Sequence, residues 1–165
     1  MVVLMASLGF LAFYSPIKNA RSLKESAVAP DLYKEISLWL KNNSQPGDIV
    51  FNVRWSDFPM LFYWNQNNYY IGGMDPIFQY AYNPTLYWKF HYLSNDDVTK
   101  NTCGAIACTA SMLENTHTVL VNDFKAKYIV LEKQRNPLVY YYLENSFDYE
   151  KKLDTKREAL YLIKQ

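Results

Sequence analysis

The chain lacks the sequence motifs by which many enzymes bind phosphate or present a nucleophile. Its 165 residues include only five glycines, and neither GxxxxGK[ST] nor GxGxxG occurs. The GxSxG turn that carries the nucleophile of α/β-hydrolases is also missing. The sequence therefore does not support nucleotide binding or serine-hydrolase chemistry, and we predict no cofactor.

The chain also has little excess of charge of either sign. Its formal net charge is +1, so there is no basic surface field to attract nucleic acid, and we predict no nucleic-acid partner. Asp96 and Asp97 form an acidic pair in a polar segment. Such neighbouring carboxylates are more often solvated or helix-capping than cation-binding, so we predict no metal ion there.

Soft metal ligands are scarce, because the chain has two cysteines and two histidines. Four residues separate Cys103 from Cys108, a spacing that matches neither the CxxC redox motif nor a zinc pair. The two thiols could form a local disulfide in an oxidising compartment or remain reduced and buried. His91 and His117 lie in helical contexts with no evident nucleophile partner, so we expect structural roles for both.

Long apolar runs are also missing, and the main uncharged apolar run, residues 2–14, reads VVLMASLGFLAFY. It is shorter than the roughly 20 residues that a membrane-spanning helix needs. No Lys or Arg precedes it and the one Ala-x-Ala pattern lies far downstream, so a signal peptide is not indicated. We interpret residues 1–15 as a transmembrane helix or its tail; the alternative is a buried helix of the following domain.

The segment after this run differs in composition. Residues 16–29 are polar, mildly basic and bounded by prolines, which is typical of a juxtamembrane connector. If the apolar segment set its own orientation, the positive-inside rule would place these basic residues in the cytoplasm, which conflicts with an extracytoplasmic domain. In a polytopic protein, however, earlier helices can dominate the orientation. Residues 30–165 are then the folded domain.

Helical and strand patterns alternate through this domain. Spacing of apolar residues predicts a helix over 31–42, and Asn-Pro pairs predict helices near 85–93 and 138–145. A further helix is expected to end around Phe124. Strands are predicted at 48–53, 68–73 and 127–131, and two more within 147–164. The prediction is an α/β layered domain with a central, mainly parallel sheet and an antiparallel C-terminal edge, preceded by an apolar, transmembrane-like N-terminal helix.

A ring-rich loop follows the first predicted strand. In open parallel sheets, ligands bind at the carboxyl ends of the strands, so RWSDFP should form a binding loop that offers a cation, a carboxylate and flat rings to a polyol. A competing interpretation is that Asp57 caps a helix beginning at Phe58, with the rings filling core. The candidate ligand-binding residues are Arg54, Trp55, Asp57, Phe58 and Asp75.

The order PDLYKEISLWLKNN, SQPGD, IVFNV, RWSDFPMLFYW and NNYYIGGMDP resembles the extracytoplasmic C-terminal domain of GT-C-type polytopic membrane glycosyltransferases. More distantly, Trp55, Asp57 and Phe58 resemble the WWDYG motif of oligosaccharyltransferase catalytic subunits. Ser56 replaces the second Trp of that motif and Pro59 its Gly, so recognition of an acceptor sequon is not carried over.

The resemblance implies an enzyme that uses lipid-linked sugars and whose catalytic acidic residue lies among transmembrane helices outside this chain. This chain would then hold no catalytic residue, and would supply acceptor binding or docking on the periplasmic or extracellular side. Its expected partners are the membrane, through the N-terminal apolar segment, transmembrane helices of the same or a partner protein, and a glycan or lipid-linked sugar. The alternative function is a non-catalytic, membrane-anchored structural subunit of a larger complex.

Overall fold

A five-stranded sheet forms the centre of the fold in a computed structural model, which describes residues 29–73, 75–98 and 115–165. The strands are β1 (Ile49–Asn52), β2 (Tyr69–Tyr70), β3 (Tyr128–Glu132), β4 (Tyr149–Asp154) and β5 (Glu158–Ile163), in the spatial order β2-β1-β3-β5-β4. β1 pairs in parallel with β2 and β3, whereas β5 is antiparallel to β3 and β4. The α/β prediction, with a parallel centre and an antiparallel C-terminal edge, is confirmed.

The helices among the described residues are α1 (Lys34–Asn43), α2 (Phe58–Trp64), α3 (Pro76–Tyr82), α4 (Pro84–Ser94), α5 (Thr116–Thr118) and α6 (Pro137–Glu144). A 3-10 turn, Trp55–Asp57, precedes α2, and α5 continues as a π-helical segment, Val119–Asp123. The helices predicted at 31–42, 85–93 and 138–145 correspond to α1, α4 and α6, whereas the sequence analysis did not predict α3.

Helices cover both faces of the sheet. Because side chains alternate along a strand, Phe51 and Val53 lie on the opposite face from Val50. Phe51 and Val53 belong to the larger core cluster, which also takes Phe90 and Leu93 of α4 and residues of the π-helical segment and of α6. On the other face lies α1, where the ring of Trp39 makes an edge contact with the ring of Tyr128. The result is a three-layer α/β/α arrangement.

Several predicted features lie outside the described residues. These are the apolar run 2–14, most of the connector 16–29, and Cys103 and Cys108. Within the ranges that the structure describes, no helix combines the length and the apolar character needed to cross a membrane.

The strand order creates a position for a crevice at the carboxyl ends of the two central parallel strands, β1 and β3. The chain leaving β1 turns towards β2 on one side, whereas the chain leaving β3 turns towards β4 and β5 on the other. The two connections therefore diverge at the carboxyl ends of β1 and β3, which is where open α/β sheets bind their ligands. Arg54 and Trp55 follow β1 at this point, after Val53.

Candidate functional site

The side chain of Arg54 joins the segments that follow the two diverging strands. The N–H of Val53 extends the β1–β3 ladder by donating to the carbonyl of Val130, which brings Arg54 to the sheet edge. The Arg54 Nε then donates to Oδ1 of Asn136, 3.3 Å away and 82 residues further along the chain. The guanidinium is thus oriented by tertiary structure and not by its own loop alone.

Asn136 is fully buried and connects three elements. While its Oδ1 accepts from Arg54, its Nδ2 donates to the carbonyl oxygen of Ser94 at the end of α4, 3.4 Å away. A buried amide whose oxygen and nitrogen both make hydrogen bonds holds its partners in one geometry. Breaking either bond would leave a buried polar atom with neither a protein nor a water partner. Asn136 therefore positions Arg54.

This use of Asn136 differs from the sequence prediction. The Asn136-Pro137 pair does begin α6, but the Asn136 side chain makes no capping hydrogen bond. Asp96 caps α6 instead, since its two carboxylate oxygens accept from the N–H groups of Leu138 (3.0 Å) and Val139 (2.9 Å). The expectation that this acidic pair is helix-capping is correct for Asp96, although the helix it caps is distant in sequence.

Beside Arg54 lies a crevice of about 270 Å³, which we call the switch-point crevice. Its volume is close to the roughly 300 Å³ at which small-molecule pockets begin. The indole of Trp55 stands at its rim and is 45% exposed. The crevice is lined by Arg54, Trp55, Ser56, Pro76, Tyr87, Phe90, His91, Ser94 and Asn95.

One wall of the crevice is aromatic and comes from α4. The His91 ring stacks on the ring of Tyr87, with centroids 5.4 Å apart and an angle of 22° between the planes. His91 thus lies at a surface that a ligand could contact, which the sequence analysis did not anticipate. His117 agrees with the structural role expected of it, because its Nε2 donates to the carbonyl of Lys164 at 2.6 Å and its ring packs against Tyr149.

Asp57 does not line the crevice. Its side chain is 2% exposed, and Oδ2 accepts a hydrogen bond of 2.8 Å from the hydroxyl of Tyr33. Burial raises the pKa of the Asp57 carboxyl to about 6, against the opposing effects of the Tyr33 hydrogen bond and the charge of Arg135. The carboxylate makes no capping bond to α2, so the capping interpretation is wrong: Asp57 joins the loop to the start of α1.

The other two candidate residues lie away from the crevice. Phe58 stacks on Phe62, with centroids 5.2 Å apart. The carboxylate of Asp75 accepts from the N–H of Ile77 at 3.0 Å, so Asp75 is the N-cap of α3. Of the five predicted residues, the structure therefore brings only Arg54 and Trp55 together in the switch-point crevice.

Phe58 lines a second, larger concavity at the β2 edge of the sheet. This aromatic groove has a volume of about 500 Å³. None of its residues is charged. The groove is lined by Phe58, Phe62, Asn68, Tyr69, Tyr70, Gly73, Phe78, Gln79 and Tyr82.

Sequence reasoning missed Asn136 and His91 as site residues, for different reasons. The Asn-Pro pair satisfied a local capping rule, which hid the long-range contact to Arg54. The position of His91 on α4 carries no signal until the helix is placed against the β1 loop. Among the described residues, no group of three or more His, Cys, Asp or Glu side chains could hold a metal ion.

Comparison of the chain with protein-family models, with curated proteins and with solved structures found no significant match in any of the three.

Proposed function

We propose that this chain is the extracytoplasmic, glycan-binding part of a membrane glycosyltransferase-like protein, and that the switch-point crevice binds its sugar ligand. The observation that carries the proposal is the half-exposed indole of Trp55 at the rim of a polar crevice. A flat ring beside hydroxyl, amide and guanidinium groups suits a pyranose, which presents an apolar face and a ring of hydroxyls.

The crevice offers hydrogen-bonding groups of both kinds. Ser56 and Asn95 can donate or accept, and Arg54 only donates. The Ser94 hydroxyl already donates to the carbonyl of His91, so it can only accept. The buried amide of Asn136 holds Arg54 and the end of α4 together before any ligand arrives. Such preorganisation reduces the entropy lost on binding.

The wider setting of the proposal rests on the sequence. The apolar run 2–14 would be a transmembrane helix or its tail, and the resemblance to GT-C enzymes puts the catalytic acid among transmembrane helices elsewhere. The chain would accordingly bind an acceptor glycan or a lipid-linked sugar without turning it over. Its folded domain would lie on the periplasmic or extracellular side.

A second function, that of a non-catalytic structural subunit, is favoured by the aromatic groove. Phe62, Tyr69, Phe78 and Tyr82 are all exposed around it, and α3 contains no buried residue. Exposed apolar clusters of this kind mark contact surfaces. The groove would then contact transmembrane helices of the same or a partner protein, and the crevice would bind no sugar.

Replacing Trp55 tests the first function. The full chain in detergent would be titrated with methyl β-glucoside, cellobiose and chitobiose by calorimetry and by NMR. We expect Trp55→Ala to weaken binding about tenfold, which corresponds to about 1.4 kcal/mol. Because the ring is half-exposed, the free energy of unfolding should change by less than about 1 kcal/mol.

The control is Phe147→Ala, since that ring is 94% exposed and outside the crevice. It should leave both affinity and stability unchanged. Binding of no sugar by the wild type, or equal affinities for wild type and Trp55→Ala, would contradict a glycan site at the crevice and favour the structural subunit.

A further inference from the structure

Arg54 differs from the other two arginines that the structure describes in having no carboxylate partner. Arg135 pairs with Glu132 at 3.1 Å, and Arg157 with Glu158 at 3.7 Å. In the ranges 29–73, 75–98 and 115–165, by contrast, the one polar contact of the Arg54 side chain is the hydrogen bond from Nε to the neutral amide of Asn136. Its two terminal nitrogens are therefore available to a ligand.

The lining of the switch-point crevice contains no acidic side chain. It combines Arg54 and His91 with hydroxyl, amide and aromatic groups. Two carboxylates that adjoin lining residues in sequence are engaged elsewhere, because Asp96 accepts from two N–H groups of α6 and Asp75 caps α3. The local charge of the crevice is thus positive in a protein whose net charge is close to zero.

Asp57 is the carboxylate that acts on Arg54 through space. It is buried, bonded to the Tyr33 hydroxyl, and not close enough to Arg54 for an ion pair. Burial raises its pKa to about 6, so the folded protein resists its ionisation. Because Asp57 is bonded to Tyr33 and not to Arg54, no ion pair has to break when an anion reaches the guanidinium.

From this arrangement we infer that the ligand of the switch-point crevice is an acidic saccharide, whose carboxylate or phosphate group is held by the terminal nitrogens of Arg54. The inference rests on the proposed glycan-binding function and narrows its ligand class. A guanidinium fixed at Nε presents its remaining donors as a planar pair, which matches two oxygens of a carboxylate or a phosphate group. The Trp55 ring would then lie against the pyranose itself.

The test uses ligands that differ in one group. Methyl β-glucoside and methyl β-glucuronide share a ring and differ only in a hydroxymethyl against a carboxylate. We expect the full chain in detergent to bind the glucuronide at least tenfold more tightly at low salt. Raising the ionic strength should narrow the difference, since exposed charges are screened beyond about 10 Å at 0.1 M salt. Glucose 1-phosphate is the third ligand, and comparison of its affinity with that of the glucuronide identifies whether the Arg54 guanidinium prefers a phosphate or a carboxylate.

The variant Arg54→Gln should lose the preference for both anionic sugars, so that the glucuronide and glucose 1-phosphate bind it no more tightly than the glucoside does. Arg54→Lys keeps the charge without the planar fork, so it should retain only part of the preference. Arg135→Gln is the matched control, because that arginine follows β3 but does not line the crevice, and it should leave the preference intact. Urea titrations would show whether each variant is folded. If Arg54→Gln is unfolded, the affinities of Arg54→Lys and the dependence of wild-type binding on ionic strength test the inference instead.

Two failures can be told apart. If no sugar of either kind binds, the proposed glycan function itself is wrong. If sugars bind but the glucuronide and the phosphate bind no more tightly than the glucoside, or if Arg54→Gln weakens all three equally, then the crevice binds glycans and the acidic class is overturned.

Discussion

At the scale of single residues, Tyr33 and Asp57 show how a polar pair is retained in the core. Tyr33 is 1% exposed and adopts a left-handed backbone conformation, with φ of 60°, at the start of α1. That conformation costs a non-glycine residue roughly 1–2 kcal/mol. The hydroxyl of Tyr33 is satisfied by Asp57, and burial together with that carboxylate raises the Tyr33 pKa well above its ordinary value. The pair thus joins α1 to the loop after β1 in spite of backbone strain and desolvation.

The raised pKa of Asp57 predicts a pH-dependent stability. Between its ordinary value of 3.8 and about 6, the folded protein holds a proton that the unfolded chain has released. The contribution of Asp57 to the free energy of unfolding should therefore fall as pH rises through this interval and stay low above it. A rise of this size corresponds to roughly 3 kcal/mol.

Asp57→Asn removes this titration while keeping an oxygen to accept from Tyr33. We expect the variant to be more stable than the wild type at pH 8, by up to roughly 3 kcal/mol, and the difference to shrink towards pH 4. Urea titrations at pH 4, 6 and 8 measure it. Asp75→Asn is the control, because Asn caps a helix as well as Asp does. A stability difference for Asp57→Asn that does not change with pH would show that the carboxyl titrates normally.

At the scale of elements, the segment between β2 and α3 depends on two glycines. Gly72 has φ of 73°, and a Cβ there would lie 2.8 Å from the Cζ of Phe90, a ring that is almost fully buried. A Cβ on Gly73 would come within 3.0 Å of the ring of Phe58. The turn after β2 thus passes close against the rings of α4 and α2, which fixes the position of α3.

Gly72→Ala should be clearly destabilising. Backbone strain of roughly 1–2 kcal/mol and overpacking of roughly 1–3 kcal/mol together give a loss of about 2–5 kcal/mol in the free energy of unfolding. Gly47→Ala separates the two effects, because Gly47 also has positive φ, 85°, but its Cβ would meet Tyr69 at an ordinary 3.5 Å. We expect Gly47→Ala to show only the backbone loss in denaturant titrations. Equal losses for the two variants would contradict the clash with Phe90.

At the scale of the whole molecule, Tyr33–Gln165 forms one compact unit. The sheet, both of its helical layers and the switch-point crevice all belong to this unit. Each described strand is paired, and the core cluster draws residues from β1, β3, β4 and β5. This unit therefore has the contacts expected of an independently folding domain.

A chain that begins at Pro30 should consequently be soluble without detergent and unfold in one cooperative step in urea. The full chain should need detergent, because we propose that the apolar run 2–14 enters the membrane. Light scattering and circular dichroism would check both. A full chain that is monomeric without detergent would contradict the membrane segment. Aggregation of the shorter chain would contradict a self-sufficient domain, unless Phe78→Ser in the aromatic groove restores solubility.

The amino-acid sequence by itself determined the alternation of helices and strands, because apolar spacing, Asn-Pro pairs and turn residues act over only a few positions. It also indicated that Arg54 and Trp55 follow the first strand, where parallel sheets bind ligands. Tertiary structure alone decided that Asn136 holds Arg54, that Asp96 caps α6 and that Asp57 bonds to Tyr33. These contacts join residues 24 to 82 positions apart, so no local pattern encodes them. They depend on the order of the strands, which brings distant loops to the same edge of the sheet.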